Sequence, residues 1–177
     1  MSAGVGAGAK PVFLWGFMAS GKSSVGRRLA DRLGGTAVDL DMLVEERAGR
    51  PIREIFAADG EAAFRELETR CLQTLDTAGV AVIATGGGTP VSAVNRGWMR
   101  ERGDCVWLDP PFDVVLGRLD ETGRAARPLF DDVEAARALY DARREFYRHC
   151  DLRIPVHAED TVDEIVDRTF RQLRDPL

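Results

Sequence analysis

A glycine-rich run with a single lysine constrains this 177-residue chain more than any other feature. Residues 16–23 have the sequence Gly-Phe-Met-Ala-Ser-Gly-Lys-Ser, which fits the pattern G-x-x-x-x-G-K-S. The apolar residues 11–15 before this run predict a buried strand, and the amphipathic residues 24–33 after it predict a helix. A strand, a glycine-rich turn and a helix N-terminus together surround an anion with backbone N–H groups. We therefore interpret residues 16–23 as a phosphate-binding loop, called the phosphate loop below, of a nucleotide-hydrolysing or phosphoryl-transferring protein.

The side chains of the phosphate loop match the chemistry of a bound nucleotide. Lys22 supplies a mobile cation for the β- and γ-phosphates, and Ser23 supplies a hydroxyl for Mg²⁺. The chain has only one other lysine, Lys10, so a lysine at this position is informative. The alternative is a chance match in a glycine-rich turn, and the flanking strand and helix argue against it. The predicted nucleotide contacts in this region are Gly16, Ala19, Ser20, Gly21, Lys22, Ser23 and Ser24.

Short apolar runs alternate with helical patterns along the rest of the chain. Residues 36–38, 80–84, 105–108 and 152–156 predict four further strands. Predicted helices cover residues 24–33, 43–48, 60–77, 91–101, 111–119, 134–150 and 162–173, and another begins at Pro51. Strands that alternate with helices predict an α/β protein, a three-layer αβα fold around a five-stranded parallel sheet. We expect one domain over residues 11–177, preceded by a flexible tail over residues 1–10.

The bulk composition narrows the class of protein. The net charge of −5 gives no overall basic field that would attract nucleic acid. No apolar run approaches the roughly 18 residues of a transmembrane helix, and residues 1–10 lack the pattern of a signal peptide. The cysteines, Cys71, Cys105 and Cys150, form no Cys-x-x-Cys pair and predict reduced, buried thiols. We expect a cytoplasmic monomer with neither nucleic-acid nor membrane partners.

Two further segments whose residues could bind a metal or a substrate follow predicted strands. Asp39 and Asp41 follow the second strand, and the glycine triplet, residues 86–88, follows the third. Ligands bind beyond the carboxyl ends of parallel strands. In extended backbone the two aspartates share a side, so one can address a metal and the other a substrate; the alternative for either is a helix N-cap. The triplet allows close backbone approach and positive φ angles, and it either holds a substrate or is a flexible connection.

Most of the arginines are expected on solvent-exposed faces, but the sequence context of a few suggests a functional role. Arg65 is flanked by residues of an apolar helix face, and Arg127 lies in the polar segment 121–130. A mobile, arginine-bearing segment suits phosphoryl transfer, because its closure excludes water and supplies positive charge. Arg143 and Arg144 are neighbours on one predicted helix, so only one of them can face inward.

In their order along the chain, these segments resemble the shikimate kinase family. The resemblance runs from Val12 to about Arg171 and rests on the joint occurrence of the motifs. They are the phosphate loop, Asp39-Leu40-Asp41 with Glu45, the run 49–56 matching G-x-x-I-x-x-I-F, Gly60-Glu61, Phe64-Arg65-Glu66-Leu67-Glu68, the glycine triplet, Arg127-Pro128-Leu129, and Arg143 with Tyr147. One departure is Thr89-Pro90 after the triplet, where the family more often has a small residue and valine.

The resemblance implies a P-loop kinase fold with a mobile lid at about residues 121–130. It implies transfer of the ATP γ-phosphate to the 3-hydroxyl of shikimate, in the biosynthesis of chorismate and the aromatic amino acids, with Mg²⁺ as cofactor. The implied catalytic residues are Lys22, Asp41 and Arg127, with Asp41 the candidate general base. Shikimate contacts are implied for Asp41, Arg65, Gly86, Gly87, Gly88 and Arg143, metal contacts for Ser23 and Asp39, and further nucleotide contacts for Arg118 and Arg127.

Two alternatives stay open at this point, one of them an enzyme and the other from a different functional class. One is a small kinase for another polyol acid, such as gluconate. The other is a catalytically silent relative that binds a nucleotide or a partner enzyme. The set of Asp41, Arg65, Arg143 and the glycine triplet favours shikimate over gluconate. A silent protein is disfavoured by the intact set of Lys22, Ser23, Asp39 and Asp41.

Overall fold

The computed structural model describes residues 10–118 and 132–175. Its strands are β1 (Val12–Trp15), β2 (Thr36–Asp39), β3 (Val80–Ala84), β4 (Asp104–Asp109) and β5 (Leu152–Pro155), all parallel in the order β2-β3-β1-β4-β5. The helices in the described ranges are α1 (Lys22–Leu33), α2 (Leu40–Ala48), α3 (Ile52–Gln73), α4 (Ala93–Arg102), α5 (Phe112–Gly117), α6 (Val133–Tyr147) and α7 (Val162–Arg174). The proposed tail, apart from Lys10, and the proposed lid at residues 121–130 lie outside the described residues.

Each face of the sheet carries its own hydrophobic core. Successive residues of a strand point to opposite faces, so Phe13 and Trp15 pack with α2, α3, α4 and α6, whereas Val12 and Leu14 pack with α1 and α7. All five residues of β3 are buried, as its continuous apolar run predicts for a strand covered on both faces. The predicted αβα fold with a five-stranded parallel sheet is confirmed.

Several element boundaries differ from the sequence-based prediction. The predicted break near Gly60 is a kink inside α3, where Gly60 has a φ of 83°, a conformation that favours glycine. Helix α4 begins at Ala93 because the Ser92 hydroxyl accepts a hydrogen bond from the Asn95 N–H. Cys71 and Cys105 are buried as expected, while Cys150 is only half-buried. Within residues 10–118 and 132–175, no helix is long and apolar enough to cross a membrane.

The junction between α4 and β4 gives a test of how tightly the sheet is packed. A Cβ on Gly103 would lie 2.0 Å from the Pro11 carbonyl oxygen and 2.9 Å from the Phe13 ring, whereas a Cβ on Gly97, inside α4, would meet nothing within 4 Å. We expect Gly103→Ala to lower the free energy of unfolding by about 2 kcal/mol or more, and Gly97→Ala to raise it by about 0.5–1 kcal/mol. Urea denaturation of both variants checks this. Equal stability of Gly103→Ala and the wild type would show that the junction is loose.

Candidate active site

The phosphate loop joins β1 to α1 through backbone conformations that few residues adopt. Gly16 has a φ of 146°, and a Cβ there would lie 2.6 Å from the Leu108 carbonyl oxygen. Gly21, with a φ of 95°, is the N-cap of α1. Ala19 has a φ of 58°, which is unfavourable for a residue with a side chain. The loop therefore stores strain where its backbone turns toward the sheet edge, a common property of functional sites.

Charged side chains lie across this loop. The Lys22 ammonium donates hydrogen bonds to the carbonyl oxygens of Gly16, at 2.9 Å, and Phe17, at 2.8 Å. Arg118, at the end of α5, donates from Nη1 to the Ser20 carbonyl oxygen at 3.3 Å. Ser20 is fully buried, whereas Ser24 is exposed in the first turn of α1. Arg118 is thus brought to the loop from almost 100 residues away in sequence.

Asp39 connects the loop to the neighbouring strand ends. Its Oδ2 accepts a hydrogen bond from the Ser23 hydroxyl at 2.5 Å, and its Oδ1 accepts from the N–H groups of Asp41 and Met42. Asp39 is therefore the N-cap of α2 as well as a neighbour of Ser23, so the two interpretations of this residue are compatible. The expected extended arrangement of Asp39 and Asp41 is wrong, because the chain turns into α2 after Asp39.

Asp41, in the first turn of α2, lies against the glycine triplet. Its Oδ1 would be 2.7 Å from a Cβ on Gly86. Burial raises the pKa of Asp41 to about 6, and the negative charges of Asp39 and Glu68 add to this rise, while Lys22 opposes it. None of the residues that the structure describes donates a hydrogen bond to the Asp41 carboxylate. This carboxylate is therefore poised to accept a proton or a hydroxyl hydrogen bond near neutral pH.

The triplet requires glycine because neighbouring side chains leave no room for a Cβ, and not because of its backbone angles. Of the two properties that glycine allows, the triplet uses close backbone approach: positive φ occurs at other glycines and at none of these three. A Cβ on Gly87 would lie 3.1 Å from Nη1 of Arg143, and a Cβ on Gly88 would lie 2.4 Å from the guanidinium of Arg65. The glycines thus allow two arginine side chains to rest directly against the backbone.

Arg65 and Arg143 line one cavity of about 630 Å³. Arg65 donates to Glu68 at 3.0 Å and to Glu61 at 3.2 Å. Arg143 lies over the Phe17 ring, 5.5 Å from its centroid, and forms no ion pair with any residue of the described ranges. Burial lowers the pKa of the Arg143 guanidinium below its usual range, and the nearby charge of Arg65 acts in the same direction. Two neighbouring guanidiniums, one of them without a carboxylate partner in the described part of the chain, form a receptor for an anion.

A salt bridge decides which of the adjacent arginines on α6 faces the cavity. Both terminal nitrogens of the Arg144 guanidinium pair with the buried carboxylate of Asp109, at the end of β4, and Arg153 pairs with the same carboxylate. Tyr147, one turn further along α6, donates to the Gly87 carbonyl oxygen at 2.6 Å. Together these contacts fix the rotation of α6 so that Arg143 points toward the triplet.

Glu68 is a residue of this site to which the sequence analysis assigned no role. It is only 1% exposed, and its carboxylate accepts hydrogen bonds from Arg65 and, at 2.6 Å, from the Thr89 hydroxyl. Its position three residues after Arg65 on α3 is the one signal in the sequence that could have indicated a partner for that arginine. Arg127, by contrast, lies outside the described residues.

Comparisons with known proteins show the family of this chain. Residues 18–174 match the family model described as shikimate kinase. The chain belongs to the shikimate kinase family. A shikimate kinase from Geobacter sulfurreducens is 46% identical over 160 residues, covering 87% of each chain, and one from Sulfurihydrogenibium is 37% identical over 166 residues, covering 93% of this chain and 98% of the relative.

Solved shikimate kinases share the fold over nearly the whole chain. The crystal structure from Bacteroides thetaiotaomicron superposes with a TM-score of 0.84 at 30% identity, covering 93% of this chain and 98% of the other. The enzyme from Acinetobacter baumannii, solved in complex with shikimate, gives a TM-score of 0.83 at 31% identity and covers 95% and 94% of the two chains. The predicted family and P-loop kinase fold are therefore confirmed.

Proposed function

We propose that this chain transfers the γ-phosphate of ATP to the 3-hydroxyl of shikimate. The observation that supports this most strongly is that Arg65, Arg143 and Asp41 all lie against the glycine triplet, which also approaches the phosphate loop at Gly87. Shikimate carries a carboxylate and several hydroxyls on one ring. Paired guanidiniums bind a carboxylate, and a buried carboxylate accepts hydrogen bonds from hydroxyls. The relative from Acinetobacter baumannii was solved in complex with shikimate, which supports the same substrate.

The nucleotide is proposed to bind along the phosphate loop. Its phosphates would replace the carbonyl groups that Lys22 contacts in this structure, and Lys22 would then neutralise charge that develops during transfer. Arg118, which already touches the loop, is proposed to lie against the nucleotide. The resemblance implies that Arg127 approaches the transferring phosphate. The roles of Gly16, Ala19, Ser20, Gly21 and Ser24 as nucleotide contacts stay predictions.

Ser23 and Asp39 fit a Mg²⁺ ion that is held mainly by phosphates and water. Their hydrogen bond places a hydroxyl and a carboxylate side by side at the end of the phosphate loop. No cluster of metal-ligating side chains exists among the described residues, and Mg²⁺ in kinases usually keeps several waters and uses few protein ligands. When bound, the ion supplies positive charge to the phosphates. Asp39 is proposed to orient its water shell through the same carboxylate that caps α2.

Asp41 is proposed to act on the acceptor hydroxyl. With the substrate carboxylate on Arg65 and Arg143, a ring hydroxyl can approach Asp41 next to the glycine triplet. As the hydroxyl oxygen bonds to the γ-phosphorus and the bond to the β–γ bridging oxygen breaks, the hydroxyl proton passes to Asp41 and ADP leaves. The raised pKa of Asp41, about 6, suits a base that works near neutral pH.

The proposed function has a direct test against its alternatives. A coupled assay of ADP release compares shikimate, gluconate and quinate as acceptors. We expect fast ADP release with shikimate and only background release with gluconate. A preference for gluconate would favour the other polyol-acid kinase, and no release with any acceptor would favour a catalytically silent protein. The single domain, the mobile lid, the monomeric state and the cytoplasmic location stay predictions.

A further inference from the structure

We propose that Thr89 is a positioning residue for the substrate carboxylate, acting through Glu68 on Arg65. This inference rests on the proposed function, because it assumes that Arg65 binds the carboxylate of shikimate. It concerns the residue directly after the glycine triplet. The chain of contacts runs from the Thr89 hydroxyl through both oxygens of Glu68 to a guanidinium nitrogen of Arg65.

The hydrogen bonds of Glu68 make this chain specific. Thr89 Oγ1 donates to Oε1 of Glu68 at 2.6 Å, and Nη1 of Arg65 donates to Oε2 at 3.0 Å. Glu68 is 1% exposed, so bulk water cannot replace either donor. A buried carboxylate that loses a donor bears a desolvation penalty. The position of the Glu68 carboxylate, and with it the direction from which it holds Arg65, therefore depends on the Thr89 hydroxyl.

The other ion pair of Arg65 cannot replace this contact. Glu61 binds the Nε and Nη2 side of the guanidinium at 3.2–3.3 Å, but its side chain is 66% exposed. Exposed pairs contribute little because water and salt compete with them. The incoming carboxylate can displace Glu61 and use the same nitrogens, while Nη1 stays on Glu68. Glu68 is thus the partner that Arg65 keeps, and Glu61 is the partner that the substrate carboxylate can replace.

Thr89 is itself held rigidly, as a residue that positions others must be. It is fully buried; its N–H donates to the Gly86 carbonyl oxygen at 3.1 Å, and its own carbonyl oxygen accepts from Nδ2 of Asn95 at 3.2 Å. The preceding residue, Gly88, lies directly under the guanidinium of Arg65. Residues 88–89 therefore influence the position of the Arg65 guanidinium in two ways: Gly88 contacts it directly, and Thr89 acts on it through Glu68.

The test compares substitutions that separate the hydroxyl from the shape of the side chain. Thr89→Val keeps the shape and removes the hydroxyl, and Thr89→Ser keeps the hydroxyl. Thr169→Val is the matched control, because Thr169 is also fully buried but donates to the Ile165 carbonyl oxygen within α7. We expect Thr89→Val to raise KM for shikimate about tenfold with KM for ATP unchanged. Thr89→Ser and Thr169→Val should stay close to the wild type.

A double-variant comparison shows whether Thr89 acts through Arg65. In an Arg65→Ala background, Thr89→Val should have no further effect on KM for shikimate, because residues that act as a chain are not additive. An undiminished tenfold effect in that background would overturn the proposal. So would a wild-type KM in Thr89→Val, or equal KM increases in the Thr89→Val and Thr89→Ser variants.

Two further outcomes have a defined meaning. If Thr89→Val does not fold, Glu68→Gln tests the same chain, and an unchanged KM for shikimate in that variant overturns it. Calorimetric binding of shikimate to the wild type separates the two proposals. A wild type that neither binds nor phosphorylates shikimate overturns the proposed function together with this inference, whereas a normal wild type with an unaffected Thr89→Val overturns this inference alone.

Discussion

Asp41→Asn is expected to lower kcat about 100-fold or more while KM for ATP stays nearly unchanged. The substitution keeps the size of the side chain and one acceptor oxygen, but it removes the charge that takes the hydroxyl proton. Asp41 lies beside Gly86 of the glycine triplet, and it is proposed to contact the acceptor hydroxyl and not the nucleotide. Single-turnover phosphorylation of shikimate measures the chemical step directly. Asp113→Asn, at an exposed position on α5, is the control and should behave as the wild type.

The same variant is expected to be more stable than the wild type at pH 8. The folded-state pKa of Asp41 is raised from 3.8 to about 6 by burial, so the folded protein binds more protons than the unfolded chain between those values. Stability therefore falls as the pH rises through this window, and the full cost, up to about 3 kcal/mol, is present above pH 6. Asparagine carries no such cost, and its advantage should disappear near pH 4.

Two results would contradict this role. Near-normal single turnover in Asp41→Asn would leave Asp41 as a positioning residue at most. If the stability difference between Asp41→Asn and the wild type is the same at pH 4 and pH 8, ionisation of the buried Asp41 carboxylate does not lower the stability of the fold. Thermal unfolding at both pH values, with Asp113→Asn alongside, separates these outcomes from a general loss of structure.

Arg65→Ala and Arg143→Ala are each expected to raise KM for shikimate at least tenfold while the fold persists. Charge-assisted hydrogen bonds to a carboxylate contribute about 1.5–3 kcal/mol, and both guanidiniums line the same cavity. Arg143→Lys keeps the charge but loses the planar fork of the guanidinium. Its KM for shikimate should therefore lie between that of the wild type and that of Arg143→Ala. Arg137→Ala is the matched control, because Arg137 lies on the same helix with an exposed side chain and pairs with Asp113.

Calorimetric titration with shikimate gives the affinities independently of turnover. An unchanged affinity in either alanine variant would remove that arginine from the carboxylate site. Loss of ATP affinity to the same degree as shikimate affinity would show instead that the substitution disturbs the site as a whole.

The sequence predicted the parts of this fold that depend on local patterns. Apolar runs gave the strands, and the phosphate loop could be placed between β1 and α1 because its glycines and lysine are closely spaced. Since β2, β3 and β1 are neighbours in the sheet, the segments after these strands meet at one edge, as a parallel sheet requires. Asp41 and the triplet were thus predictable as neighbours of the loop.

The remaining features depend on contacts between residues far apart in sequence. The orientation of Arg143 follows from the pairing of Arg144 with Asp109, 35 residues away, and no local pattern shows that pairing. The burial of Glu68 follows from its contact with Thr89, 21 residues away. The triplet requires glycine because two arginine side chains pack against it and not because of positive φ angles, and only the tertiary structure shows which of the two applies.

The central claim is that shikimate binds with its carboxylate on the two arginines and a hydroxyl on Asp41. A crystal structure with shikimate and a non-hydrolysable ATP analogue tests it most directly. We predict that the carboxylate contacts the guanidiniums of Arg65 and Arg143. We also predict that the acceptor hydroxyl lies within about 2.6–3.2 Å of the Asp41 carboxylate and faces the terminal phosphate over the phosphate loop. A ring bound in the opposite direction, with its carboxylate away from both arginines or no hydroxyl near Asp41, would contradict the claim.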